Sequence, residues 1–177
     1  PEGPPIVLED MIRGRVVFPR EMLDHFILLR SDGKPVYNFA SAIDESDLGI
    51  THVIRGDDHL SNTPKQILVA EALGLPLPRY AHLPQILGLD RSRLSKRKGA
   101  AGVLELKEEG FLPGAVANFL ALLGWSYNEK DEIFSLEELV EKFDLARVGS
   151  SPSVFDEKKL LWMYLSLIHI SEPTRPY

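Results

Sequence analysis

Up to about residue 100 the apolar positions come in short runs separated by turn residues; beyond it they follow helical spacing. "HFILLR" and "PVYNFA" flank "SDGK", whose Asp32-Gly33 pair is a tight-turn signal, so residues 24–43 predict a hairpin. "ITHVI" (50–54) is short and β-branched and predicts a strand. A helix follows with three start signals. Thr63 can cap it, Pro64 suits its first turn, and Gln66 stands three after Thr63 as a capping box requires. Ile67, Leu68, Ala70, Ala72 and Leu73 supply its apolar face, and Gly74 is its stop. "AHLPQIL" (81–87) predicts another strand.

From residue 101 the signals are helical: "AGVLELKEEG", then "PGAVANFLALLG", opening on Pro113 and stopping at Gly124. In "SLEELVEKF", Ser135 and Glu138 form a second capping box, with Phe134 and Leu139 spaced as its hydrophobic staple. "DEKKLLWMYL" predicts a last helix starting at Asp156. The expected organisation is therefore an α/β part up to about residue 100 and an all-helical part after it. "LSLIHISEPTRPY" lacks a helix period and ends rich in proline, so residues 165–177 are expected to be a non-native tail. The opening "PEGPP" reads like the interior of a longer chain, so a fragment is expected.

Composition narrows the class. With 177 residues, 44% apolar and 26% charged, the chain resembles a soluble globular protein with a real core. No apolar run approaches the length of a membrane span, and no signal-peptide pattern opens the chain, so no membrane partner is expected. The lack of cysteine excludes disulfides, thiolate zinc sites and a cysteine nucleophile. It is compatible with a reducing cytosol, and a cytoplasmic location is expected.

The net charge of −6 argues against a broad nonspecific nucleic-acid surface but leaves room for a local basic site. Five cations, Arg91, Arg93, Lys96, Arg97 and Lys98, fall within "LDRSRLSKRKGA" (89–100). By contrast, residues 128–144 hold seven acids and two lysines and read as a solvated helix face.

Lysines and arginines on a loop after a strand can close over a phosphate and neutralise charge as it develops. By composition alone the same residues suit an idle surface loop. Arg55 falls at the carboxyl end of the 50–54 strand, where open α/β sheets bind ligands, and an arginine can grip a carboxylate through two parallel hydrogen bonds. Asp57, Asp58, Ser61 and Asn62 follow, and each could merely satisfy free N–H groups at a helix start.

Two stretches carry a family resemblance. "RLSKR" is similar to the KMSKS-type loop of class I aminoacyl-tRNA synthetases. "RSDGKPVYNFASAIDESDLGITHVIRGDDHLSNTPKQ", followed by "AHLPQILGLDRSRLSKRKGA", resembles bacterial-type glutamyl-tRNA synthetases. The resemblance runs from about residue 5 to Met163 and implies an internal fragment. It implies the end of an inserted acceptor-stem-binding domain (1–23) and the second half of a Rossmann catalytic domain (24–100). A helical stem-contact domain (101–164) would complete it.

The resemblance also implies roles. Tyr37, Ser41, Arg55 and His59 would bind glutamate, with Arg55 pairing with its side-chain carboxylate. Asp58, Gln85, Ile86 and Lys96 would bind ATP, the backbone of Gln85 and Ile86 holding the adenine. Lys96 would meet the phosphates, with Arg93, Ser95 and Arg97 beside it. The implied substrates and partners are ATP with Mg2+, L-glutamate and tRNA(Glu), for a monomeric ligase.

Two positions depart from the family pattern. Arg93 stands where lysine is common, and Lys98 where histidine is frequent. The family's HIGH-type signature is absent from this sequence, so the chain alone is expected to be inactive. The alternatives are a noncatalytic tRNA-binding module, a glutamyl-queuosine-tRNA synthetase and a glutaminyl-tRNA synthetase. The intact "LSKR" argues against the second and Arg55 against the third.

Overall fold

The computed structural model describes residues 3–94 and 102–171. Packing divides the chain into two compact units, Pro1–Leu83 and Pro84–Tyr177, of mixed α/β character with parallel strand pairs.

The first unit opens with a hairpin that the turn and strand signals of the sequence do not mark. Strands β1 (Ile6–Asp10) and β2 (Gly14–Phe18) pair antiparallel, Ile6 opposite Phe18 and Asp10 opposite Gly14. Alternation along β1 buries Ile6, Leu8 and Asp10 and exposes Val7 and Glu9. A carboxylate on the buried face demands partners, and Asp10 finds them in its own turn and across the unit in His82.

The hairpin expected over 24–43 forms only at its tip. Arg30 N–H donates to the Lys34 carbonyl at 2.8 Å, Gly33 adopts φ +80°, and Leu29 bridges Pro35. Pro35 has no N–H with which to extend a ladder. The expected second strand is instead the start of helix α1 (Tyr37–Asp47). There Ala42 is buried, and Phe39 lines an apolar groove with Leu68 and Val69. Tertiary packing has overridden a β-prone local sequence.

Strand β3 (His52–Gly56), a 3-10 turn (Asp57–Asn62), helix α2 (Thr63–Leu73) and strand β4 (Arg79–Leu83) form a strand–helix–strand unit. Its strands run parallel, with Arg55 opposite His82. Gly74 ends α2 in the left-handed region at φ +67°, where a side chain would be strained. The buried face of α2 is Thr63, Gln66, Ile67 and Ala70 at helical spacing, joined by Pro64 and Val69. Ala72 and Leu73, expected inside, are exposed. One core, Ile6, Leu8, Leu23, Ile67 and Tyr80, joins the β1–β2 hairpin to α2 and β4.

In the second unit the strand expected over 81–87 is interrupted at Pro84-Gln85. Only β5 (Ile86–Leu87) belongs here, pairing parallel with β6 (Ser153–Val154). Four helices complete the unit: α3 (Val103–Glu108), α4 (Pro113–Ala121), α5 (Leu136–Lys142) and α6 (Glu157–Ser171). The part expected to be all-helical thus also supplies a strand. Leu106, Val116, Phe119, Phe155, Leu160 and Met163 form its main core, and Trp125, Phe134 and Leu139 a smaller one.

The α5 capping box is made as expected. Glu138 N–H donates to Ser135 Oγ at 3.2 Å, and Ser135 N–H donates to Glu138 Oε2 at 2.8 Å. Its staple residues Phe134 and Leu139 share the smaller core. The N–H of Lys158 donates to Asp156 Oδ1 at 2.9 Å, which caps α6. That helix continues to Ser171, through part of the stretch expected to be irregular, because no glycine or proline interrupts residues 157–171. No helix among the described residues is long and apolar enough to cross a membrane.

Candidate active site

The first unit gathers its polar side chains around Arg55, near the carboxyl end of β3. The guanidinium donates through Nε to His82 Nε2 at 3.1 Å. Through Nη2 it reaches Gln66 Oε1 at 2.8 Å, Thr63 Oγ1 at 2.9 Å and the His59 carbonyl at 3.5 Å. Nη1 lies 3.4 Å from the Tyr37 hydroxyl. The Tyr80 ring packs below, its centroid 5.6 Å from Cζ. Among the described residues, none of the ion pairs involves Arg55. Because Nε and Nη2 are committed to protein acceptors, the two-nitrogen fork expected of Arg55 is not available, and Nη1 is the nitrogen with capacity left.

Helix α2 is built for this guanidinium rather than for its own cap. Thr63 and Gln66 read as a capping box, yet Asn62 is the cap residue and makes no side-chain cap bond. Thr63 and Gln66, both fully buried, turn to Arg55 instead. The Gln66 amide then donates to Ser41 Oγ at 2.5 Å, and Ser41 donates to Glu45 Oε1 at 3.0 Å. Burial pushes the Glu45 carboxyl above its ordinary range, while the Ser41 hydrogen bond and the Arg55 charge draw it down. Burial, with Glu45 nearby, also pushes the Tyr80 phenol up to about 12, so it stays protonated.

Behind Arg55, His82 Nδ1 lies 2.6 Å from Asp10 Oδ2, with both side chains wholly out of solvent. Asp10 Oδ1 accepts from the N–H groups of Ile12, Arg13 and His82 at 3.0, 2.8 and 3.2 Å. Burial pushes the Asp10 carboxyl up, but these hydrogen bonds outweigh it and hold the group below its ordinary value. The imidazole of His82 is also held down. Burial is the largest cause, helped by Arg55 and Arg13 against the pull of Asp10.

Tyr37, Ser41, Arg55 and His59, expected to act on one ligand, are thus brought together. His59 meets Tyr37 edge-on with centroids 5.4 Å apart, and its Nδ1 accepts from the Asn62 amide at 3.1 Å. Asp58 shares the same 3-10 turn, and a Cβ on Gly56 would approach its Oδ1 to 2.6 Å, so a larger residue there would push the Asp58 side chain aside. Asp57 instead pairs with Arg13 of the β1–β2 turn. Asp10, Thr63, Gln66 and His82 carry no site role in the sequence pattern. The available signal was a lone histidine inside the otherwise apolar strand "YAHL".

In the second unit the Gln85 carbonyl accepts from Ser153 N–H at 3.2 Å, and the Ile86 carbonyl from Leu94 N–H at 3.1 Å. Arg93 bridges Leu87 at the foot of the basic loop. Between them Gly88 N–H donates to the Ser92 carbonyl at 2.9 Å and Arg91 takes φ +58°, a tight reversal. Ser95, Lys96 and Arg97, and Lys98 with them, lie outside the described residues. Among the described residues no three His, Asp or Glu side chains are grouped to hold a metal.

Residues 1–162 match the family model described as tRNA synthetases class I (E and Q), catalytic domain. The chain is 52% identical over 167 residues to the glutamate–tRNA ligase of Geotalea uraniireducens, covering 94% of this chain and 36% of that protein. It is 54% identical over 164 residues to that of Aquifex aeolicus, covering 92% and 35%. The fold is similar to the crystal structure of a glutamate tRNA ligase from Elizabethkingia meningosepticum in complex with its amino acid. There the TM-score is 0.87 at 34% identity, over 96% of this chain and 38% of that one. The chain spans about a third of the length of the curated relatives it matches.

Proposed function

The chain belongs to the class I tRNA synthetase (E and Q) catalytic-domain family, and on that premise we propose that it is part of an ATP-dependent glutamate–tRNA ligase. One observation carries the reading: Arg55 is a partly buried cation whose direct partners are all neutral. A desolvated guanidinium with no carboxylate in direct contact is costly, and an anionic ligand relieves that cost. The side-chain carboxylate of glutamate supplies such an anion, met by Nη1 and by the Tyr37 hydroxyl. An amide there would bring no charge, which disfavours glutamine. His59 and Ser41 belong to the same cluster, His59 against Tyr37 and Ser41 through Gln66.

The reaction follows in two steps. The α-carboxylate of glutamate attacks the α-phosphorus of ATP, the bond to the β-phosphate oxygen breaks, and pyrophosphate leaves. A terminal ribose hydroxyl of tRNA(Glu) then attacks the glutamyl carbonyl, loses its proton, and displaces AMP. Magnesium enters with the nucleotide as part of the substrate. Asp58 and the backbone of Gln85 and Ile86 would hold ATP. Lys96 would stabilise charge on the phosphates, flanked by Arg93, Ser95 and Arg97. Residues 1–23 would close an acceptor-stem-binding insertion, 24–100 complete the Rossmann domain, and 101–164 contact the tRNA stem. A cytoplasmic monomer fits this role.

The test is ATP–pyrophosphate exchange by a complete ligase carrying this sequence. Arg55→Ala is expected to raise KM for glutamate by tenfold or more and to leave KM for ATP near its starting value. Equal losses for both substrates would refute the assignment.

A further inference from the structure

We propose that Asp10 and His82 are positioning residues for Arg55, locking His82 in one neutral tautomer so that the guanidinium holds Nη1 toward the ligand. The proposal rests on the reading of Arg55 as the carboxylate-binding residue. A guanidinium can only donate, so His82 Nε2, 3.1 Å from Arg55 Nε, must be an unprotonated acceptor. The ring proton then sits on Nδ1 and is donated to Asp10 Oδ2 at 2.6 Å. Thr63 closes the circuit. Its Oγ1 accepts from Arg55 Nη2 at 2.9 Å and lies 3.2 Å from the same Nε2. Every member but Arg55 is buried: Asp10 is 4% exposed, and His82, Thr63 and Gln66 are 0%.

The partners fix the imidazole and guanidinium hydrogens, while the Thr63 hydroxyl can turn to His82 Nε2 or to the His59 carbonyl at 3.5 Å. A proton on His82 Nε2 would face the Arg55 Nε–H, donor against donor, and the guanidinium would have to turn. The charged groups around the imidazole are Asp10 on β1, Arg13 on the β1–β2 turn and Arg55 on β3, with the Tyr80 ring stacked 6.1 Å away on its own strand. The depressed basicity of His82 is consistent with the neutral form.

Two substitutions separate positioning from packing, each made in the complete ligase. His82→Asn places an amide where Nδ1 stood, keeping the donor to Asp10 and losing the acceptor for Arg55. His82→Gln places its carbonyl where Nε2 stood, keeping that acceptor. His82→Asn is expected to raise KM for glutamate about tenfold with KM for ATP within about twofold, and His82→Gln to recover most of that loss.

Asp10→Asn turns an acceptor of the Nδ1 proton into a donor, which favours the wrong tautomer. It is expected to behave like His82→Asn and carries the test if the latter does not fold. Parallel losses for both substrates, or equal effects of Asn and Gln at position 82, overturn the proposal. If Arg55→Ala leaves glutamate binding intact, the reading of Arg55 itself has failed. If Arg55→Ala raises KM and neither His82→Asn nor Asp10→Asn does, only the positioning role has.

Discussion

Gln66 Oε1 accepts from Arg55 Nη2 at 2.8 Å, and this bond commits half of an apparent helix cap to holding a cation. The Gln66 side chain is fully buried and neutral, so it anchors the guanidinium without cancelling its charge. Gln66→Glu would supply an internal counter-ion in the same place. The variant is expected to fold and to raise KM for glutamate at least tenfold, with the ATP term little changed. Glutamate KM equal to that of the parent would show that the charge of Arg55 is not what the ligand meets.

Acid stability should decline in two stages, partly offset by Glu45, whose raised pKa favours the folded state as pH falls. Both Asp10 and His82 have folded pKa values below their ordinary ones, so the unfolded chain binds more protons in each window and stability falls as pH falls. The His82 contribution is fully present above about pH 6.5 and is lost progressively below it; the Asp10 contribution persists to about pH 4 and is lost through its lower folded value. Urea midpoints measured from pH 8 to pH 3 should show both declines. His82→Gln should erase the first and keep the second, whereas curves that stay parallel would contradict this account.

Asn118 links helix α4 to the chain ahead of α5. Its Nδ2 donates to the Glu132 carbonyl and its Oδ1 accepts from Phe134 N–H, each at 2.8 Å, in a side chain with no solvent exposure. Asn118→Ala leaves a buried N–H without its acceptor and is expected to cost about 1–3 kcal/mol. Urea unfolding followed by the fluorescence of Trp125, in the neighbouring core, checks it. A change within 0.5 kcal/mol, about the level of an ordinary surface substitution, would show that water replaces the bond.

Lys96→Ala, tested in the complete ligase, is expected to slow adenylate formation on the order of a hundred- to a thousand-fold, the usual effect of removing one preorganised donor. Its thermal unfolding should match the parent. Exchange of pyrophosphate at the parental rate would remove Lys96 from the phosphate site.

Local chemistry was legible wherever the determining partners were close in the chain. The Ser135–Glu138 box, the Gly74 stop and the Asp156 cap are each made by residues within a few positions of one another, so their geometry follows from spacing. Arg55, Tyr37, Ser41 and His59 were named from motif resemblance, and the fold brings them together. The same local logic misread Thr63 and Gln66, because a capping box and a guanidinium cradle present the same residue types at the same interval. It misread "PVYNFA" as a strand because packing against α2, not β propensity, decides that segment.

By itself the sequence determined the Gly74 stop of α2, the capping box of α5, the strand–helix–strand order and the identity of the cation at position 55. Only the tertiary structure decided what surrounds that cation. Asp10 and His82 lie 72 positions apart, and Arg55 and His82 lie 27. No local period encodes such pairings; they exist because β1, β3 and β4 bury these polar groups in one place, where each must find a partner or destabilise the fold.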